Sequence, residues 1–128
     1  MSAQTPQVLF VDDDEILLKL FTSICEREGM SCICAPNGEK ALEILKTSER
    51  PELIILDISM PGTDGLDVLK KIKADPAVAD IPVVIVSNFI KEEDITWGKE
   101  LGVKRFVNKE NLLPGEIADI IRAEALRH

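Results

Sequence analysis

Aromatic side chains are scarce in this chain: four phenylalanines, one tryptophan and no tyrosine make 4% of 128 residues. Packing must therefore come from Ile, Leu and Val. Histidine is nearly missing as well. Its single copy, His128, is the last residue, and no chemistry is assigned to it. Basic residues are in deficit, 15 Lys and Arg against 23 Asp and Glu, for a net charge of −8. That balance argues against direct nucleic-acid binding, which needs a basic face. It fits a basic partner surface or a cation without choosing between them. No apolar run approaches the roughly 18–20 residues of a membrane span. Met1 to Gln7 has neither a basic nor an apolar region of the secretory kind, so the expected location is cytoplasmic. Cysteine is limited to Cys25, Cys32 and Cys34, an odd number that argues against a disulfide framework. Cys32 and Cys34 share a face if they lie on a strand. A metal or redox pair is one reading of them. Small buried hydrophobes is the plainer one, since two further zinc ligands at suitable spacing are missing.

What is present is a strict alternation. Strand-like runs stand at "VLFV" (8–11), "CICA" (32–35), "LIIL" (53–56), "VVIV" (83–86) and "RFVN" (105–108). Helical spacing separates them. Ile16, Leu17, Leu20, Phe21, Ile24 and Cys25 form the first set, closed by Gly29. Ala41, Leu42 and Leu45 mark a second helix. Leu66, Leu69 and Ile72 mark a third, with Lys70, Lys71 and Lys73 toward water. A weaker fourth covers Ile95 to Leu101 and stops at Gly102; Ile117, Ile120 and Ile121 carry the fifth. Such alternation predicts a parallel sheet covered by helices on both faces. Strands 1, 3 and 4 are apolar throughout, as central strands are; strands 2 and 5 are mixed and suit edges. The expectation is a flavodoxin-like (βα)5 three-layer sandwich, strand order 2-1-3-4-5, in one domain over residues 1–128 with its core at about 7–127.

In such a sheet the working crevice lies beyond the carboxyl ends of the strands. Strand 1 delivers Asp12, Asp13 and Asp14 there. Strand 3 delivers Asp57, strand 4 Ser87 and Asn88, and strand 5 Lys109. Three converging carboxylates raise one another's pKa or admit a cation. Mg²⁺ suits an all-oxygen set that also takes phosphate. A carboxylate can act as a nucleophile and form an aspartyl-phosphate. A hydroxyl and an ammonium across the site would hold the remaining oxygens. Asp14 reads better as a helix N-cap than as a site residue.

The motifs "VDDD", "LDISMPGTDG", "VVIVS" and "FVNK", in that order, resemble the receiver domain of bacterial two-component response regulators along nearly the full chain. The resemblance implies that Asp57 is the phosphoacceptor. It implies Mg²⁺ on Asp13, Asp57 and the Ser59 carbonyl, with Asp12 acting mainly through water. Ser87 and Lys109 would bind the phosphoryl group, and Ser87 and Phe106 would form the switch. The implied donor is a sensor histidine kinase or a phosphotransfer protein. Downstream proteins would meet the face made by helix 4, strand 5 and helix 5, with the chain a monomer or a phosphorylation-dependent dimer. Ser59 and Phe89 occupy positions that tune phosphate lifetime in this family. Two residues depart from the pattern: Asn88 in place of a small residue, and Glu110 in place of a proline.

Two other functions compete. Asp12-x-Asp14 and "VVIVSN" resemble motifs of haloacid dehalogenase-type phosphatases, with Asp12 as nucleophile. That leaves Asp57 and "MPGTDG" unexplained, and no paired acidic motif follows Lys109. A pseudo-receiver that binds without being phosphorylated is opposed by the complete set of Asp12, Asp13, Asp57, Ser87 and Lys109.

Overall fold

The computed structural model describes residues 7–47, 50–62 and 64–125. His128 and most of the amino-terminal stretch read above lie outside the described residues. The chain alternates strand and helix throughout: β1 (Gln7–Val11), α1 (Glu15–Arg27), β2 (Ser31–Ala35), α2 (Gly38–Thr47), β3 (Leu53–Leu56), α3 (Gly65–Ala74), β4 (Val83–Ser87), α4 (Glu92–Glu100), β5 (Arg105–Asn108), a 3-10 turn (Lys109–Asn111) and α5 (Pro114–Glu124). All pairings are parallel, in the order β2-β1-β3-β4-β5.

The order follows from burial. β1, β3 and β4 are the apolar strands, and β3 and β4 are buried at every position. Alternate side chains feed two cores. Val8, Phe10, Leu53, Ile55, Val84 and Val86 face α1 and α5. Leu9, Val11, Ile54, Leu56, Val83 and Ile85 face the α2–α3 side. Phe10 and Phe21 stack with ring centroids 4.4 Å apart, so two of the few aromatics fasten α1 to β1. Each fully buried Ile, Leu or Phe contributes about 1.5–3 kcal/mol, which gives the sheet a rigid centre. Among the described residues no helix is long and apolar enough to cross a membrane.

Helix ends follow local chemistry. The Asp14 carboxylate accepts from the amides of Ile16 at 3.0 Å and Leu17 at 3.1 Å, capping α1. Asp64 caps α3 in the same way through Leu66 and Asp67. Gly29, just past α1, has φ 77°, the left-handed conformation that stops the helix. Two expectations are corrected. α4 begins at Glu92 rather than Ile95, because the Asp94 carboxylate accepts the Lys91 amide at 2.8 Å and fixes an earlier turn. Lys73 does not face water. Its ammonium donates to the carbonyls of Ala79 at 3.0 Å and Ile81 at 3.3 Å, holding the α3–β4 connection against the helix. Burial pushes its pKa down.

One glycine matters for the loop that follows β3. A Cβ on Gly65 would stand 2.3 Å from the Cα of Ile58, a backbone atom that cannot step aside. On Gly115 it would meet nothing within 4 Å. Gly65→Ala is therefore expected to cost at least about 1–3 kcal/mol by overpacking. Gly115→Ala is expected to be neutral or stabilising by up to about 1 kcal/mol through helix propensity. Urea denaturation of the two variants beside the wild type checks the opposite signs.

Candidate functional site

β1 and β3 are neighbours, so their carboxyl ends release Asp12 and Asp57 side by side. The ladder continues one residue past each strand: the Asp12 amide donates to Ala35 O and the Asp57 amide to Val11 O, both at 3.0 Å. The two side chains are therefore fixed by the rigid part of the sheet. They are also almost wholly buried, at 2% and 3% exposure, whereas Asp13 is exposed. One oxygen from each of Asp12, Asp13 and Asp57 lies within 4.8 Å of the others.

Each buried carboxylate divides its two oxygens between the backbone and one lysine. Asp12 Oδ1 accepts the Asp14 amide at 2.9 Å, and Asp57 Oδ1 accepts the Ser59 amide at 2.8 Å. Lys109 Nζ bridges the other pair, 2.7 Å from Asp12 Oδ2 and 2.8 Å from Asp57 Oδ2. Burial pushes the Asp12 pKa up, and its bonds to Lys109 and the Asp14 amide only partly offset this. Burial acts to lower the Lys109 pKa, but the two carboxylates more than compensate and hold it above the ordinary lysine value. Three carboxylates against one ammonium leave an excess of two negative charges at a cluster of hard oxygens. That is a donor set for a divalent cation, and the residues fit one.

Lys109 reaches this position from the far edge strand through a short turn. The Asn108 side chain accepts the Glu110 amide at 2.9 Å and caps the Lys109–Asn111 turn. Asn108 escaped the sequence reading as a positioning residue. An Asn at a strand-to-helix boundary is a capping signal that could have found it.

Ser87 ends β4 fully buried. Its hydroxyl is bonded to the hydroxyl of Ser59 and lies 3.3 Å from Phe89 O. Ser59 Oγ also donates to Phe89 O at 3.3 Å. The two serines thus tie the loop after β3 to the loop after β4. Phe89 itself is 75% exposed, its ring beside a shallow cavity of about 290 Å³ that Ser59, Asp64 and Lys91 also line. Asn88 is exposed. Phe106, on β5, is half-buried on the α2–α3 side of the sheet. Its ring reaches α4 where Gly98 has no side chain; a Cβ there would stand 2.4 Å from the ring tip.

The fold thus brings Asp12, Asp13, Asp57 and Lys109 together and links Ser59 to Ser87. Asp14 takes no part, because its carboxylate is spent on the α1 amides. This disfavours the phosphatase reading, in which Asp14 would work beside Asp12.

Comparison with known proteins identifies the family and the fold. The sequence model of the response regulator receiver domain matches residues 8–122. The polar-differentiation response regulator DivK of Brucella anthropi is 34% identical over 113 residues, covering 88% of this chain and 91% of that protein. The phosphorylated cyanobacterial phytochrome response regulator RcpA superposes with a TM-score of 0.85 at 26% identity, covering 94% of both chains. The Mn²⁺-bound form of response regulator Rcp1 gives a TM-score of 0.82 at 27% identity, over 91% of this chain and 92% of that one. With the doubly wound sheet, the paired buried aspartates and a family match spanning most of its length, the chain belongs to the response regulator receiver domains.

Proposed function

We propose that Asp57 is the phosphoacceptor and that its phosphorylation, drawn from a sensor histidine kinase or a phosphotransfer protein, sets the signalling state of the domain. The observation that carries this reading is the placement of Asp57. It is buried at a rigid strand end, bonded to Lys109, and within 4.8 Å of two further carboxylates. The site favours Mg²⁺ held by Asp12, Asp13, Asp57 and the Ser59 carbonyl, where it would shield the phosphoryl oxygens from the acidic cluster.

The chain's own residues account for the transfer. A carboxylate oxygen of Asp57 attacks phosphorus while the bond to the donor's leaving group breaks and its electron pair departs with that group. The Lys109 ammonium, already at the Asp57 carboxylate, moves to a phosphoryl oxygen and offsets its charge. The Ser59 amide on Asp57 Oδ1 fixes the rotamer of the acceptor. Ser87 exchanges its bonds to Ser59 and Phe89 O for the phosphoryl group. The added charge is about −1.5 to −2, which draws hydroxyl donors toward it.

The readout follows the same bonds. Once Ser87 turns, the β4–α4 loop keeps only the bond from Ser59 Oγ to Phe89 O as its tie to the β3–α3 loop. Phe106 lies beneath α4 against Gly98 and follows into the space released. The face formed by α4, β5 and α5 thereby changes for a downstream protein, or for a second copy of the domain. Trp97 on α4 is 45% exposed with Lys70 Nζ 4.4 Å from its ring, so it is placed to report the movement.

Three outcomes are expected. Incubation with acetyl phosphate and Mg²⁺ should add a single phosphoryl mass to the protein, seen by intact-mass spectrometry. The adduct should need Mg²⁺ and be absent from Asp57→Asn; an adduct that persists in that variant would transfer the role to Asp12. Lys109→Ala should slow phosphoryl uptake by about 10²–10³-fold, the range for loss of one charge-stabilising donor, measured as the rate of adduct formation at fixed donor. Phosphorylation should change Trp97 emission in the wild type. Ser87→Ala should keep the adduct and lose most of that change; equal responses in both proteins would break the proposed link from Ser87 to α4.

A further inference from the structure

The three thiols form a cluster that the phosphoryl site does not use. β2 is an edge strand, and Cys32 and Cys34 project from one face of it, with Sγ atoms 3.5 Å apart. Thr22 on α1 donates to Cys32 Sγ at 3.3 Å and lies 3.6 Å from Cys34 Sγ. Cys25, buried on α1, directs its thiol to Ser31 O at 3.6 Å. All three are free cysteines. Cys34 opens on a surface groove of about 260 Å³, whose walls include Lys19 and Glu26. Solvent thus reaches the Cys34 side of the pair, with Cys32 Sγ 3.5 Å behind it.

Beyond the thiol–thiol contact already present, two further states are open to the pair: a disulfide, or an ion held between the sulfurs. Strand geometry decides. Residues two apart on a strand have Cβ atoms about 6.5 Å apart, two rises of ~3.3 Å. A disulfide needs Cβ atoms at about 3.5–4.5 Å. Closing that gap would break the register in which Cys34 pairs with Phe10 of β1. A metal–thiolate bond, by contrast, is about 2.3 Å long. Two such bonds span the sulfurs at up to about 4.6 Å, which rotation about χ1 reaches with the backbone in place.

Thiolates select soft ions. Zinc asks for four ligands, and the only compact group of three His, Cys, Asp or Glu among the described residues is the aspartate cluster. A d10 monovalent ion is satisfied by two or three sulfurs. We propose that Cys32 and Cys34 form a bis-thiolate site for a soft monovalent cation of the Cu(I) type. Two S–H bonds break and two sulfur–metal bonds form. Two protons leave to solvent, and no electron changes hands. The complex carries one negative charge.

The test uses the full chain, fully reduced and free of oxygen, titrated with Cu(I) held by the chromophoric competitor bathocuproine disulfonate. The wild type should take one equivalent from the competitor, gain an ultraviolet sulfur-to-copper band and release two protons per ion. Cys32→Ser/Cys34→Ser should lose all three signals, and Cys25→Ala should keep the first two. Circular dichroism and phosphoryl uptake from acetyl phosphate show that the double variant is folded. If it is not, Cys34→Ser, at the position facing the groove, carries the same expectation of loss. No transfer of Cu(I) to the wild type overturns the proposal. So does transfer that persists without Cys32 and Cys34, or that vanishes only without Cys25.

Discussion

Two buried carboxylates, Asp12 and Asp57, sit side by side at the ends of adjacent strands and share one ammonium. Removing such ions from water costs several kcal/mol each before any partner is counted. The rest of the architecture makes this arrangement tolerable. The strand order places β1 next to β3, so the two carboxylates cannot separate. The Asp14 and Ser59 amides satisfy one oxygen each. Lys109 crosses from the sheet edge to satisfy the others. Even so, Asp12 remains harder to ionise than an ordinary aspartate, and the local charge stays negative. The site is held together by the sheet more than by its own interactions. A cation is what its charge pattern lacks.

The same constraint links Asp57 to more distant parts of the fold. Asp57 and Ser87 end different strands and share no side-chain bond among the described residues. Ser59 connects them, giving its amide to Asp57 and its hydroxyl to Ser87. Ser87 in turn meets the backbone of Phe89, at the entrance to α4. On the other side of α4, Gly98 lies against the Phe106 ring. A helix with an aromatic ring under its glycine and a hydroxyl pair at its entrance has two points at which it can be shifted. α4 is also the helix with the weakest apolar stripe, having only Asp94 and Gly98 buried. It can therefore move at lower cost than α1, α3 or α5.

Much of this was legible in the sequence, and the exceptions share a cause. Apolar runs and their spacing carry the five strands, the sheet order and the ends on which the aspartates sit. Asp14 was separable from Asp12 and Asp13 because an acid just before an apolar helical repeat is a cap. What stayed hidden depends on partners distant in sequence or on polar groups without periodicity. The first turn of α4 is all acidic and has no apolar signal; its start rests on Asp94 capping Lys91. Lys73 looked solvent-facing because helical spacing puts it beside other lysines, yet the backbone of a later loop claims it. The pairing of Ser59 with Ser87 joins residues 28 apart. The closeness of Cys32 and Cys34 was visible as strand spacing, but their contact with Thr22 was not.

Glu110 shows how a departure from family pattern can be absorbed. Proline at this position would bring no amide hydrogen. Here the Glu110 amide donates to the Asn108 side chain, and that bond starts the single turn from which Lys109 projects. A proline would remove the donor and with it the cap. Asn108 and Glu110 therefore act as a unit: the amide that replaces proline is the one the asparagine needs. The lysine backbone is fixed by a capped turn rather than by a constrained ring, and its ammonium still reaches both aspartates. The glutamate side chain remains exposed, so the extra negative charge stays in water and the two buried carboxylates are spared a third.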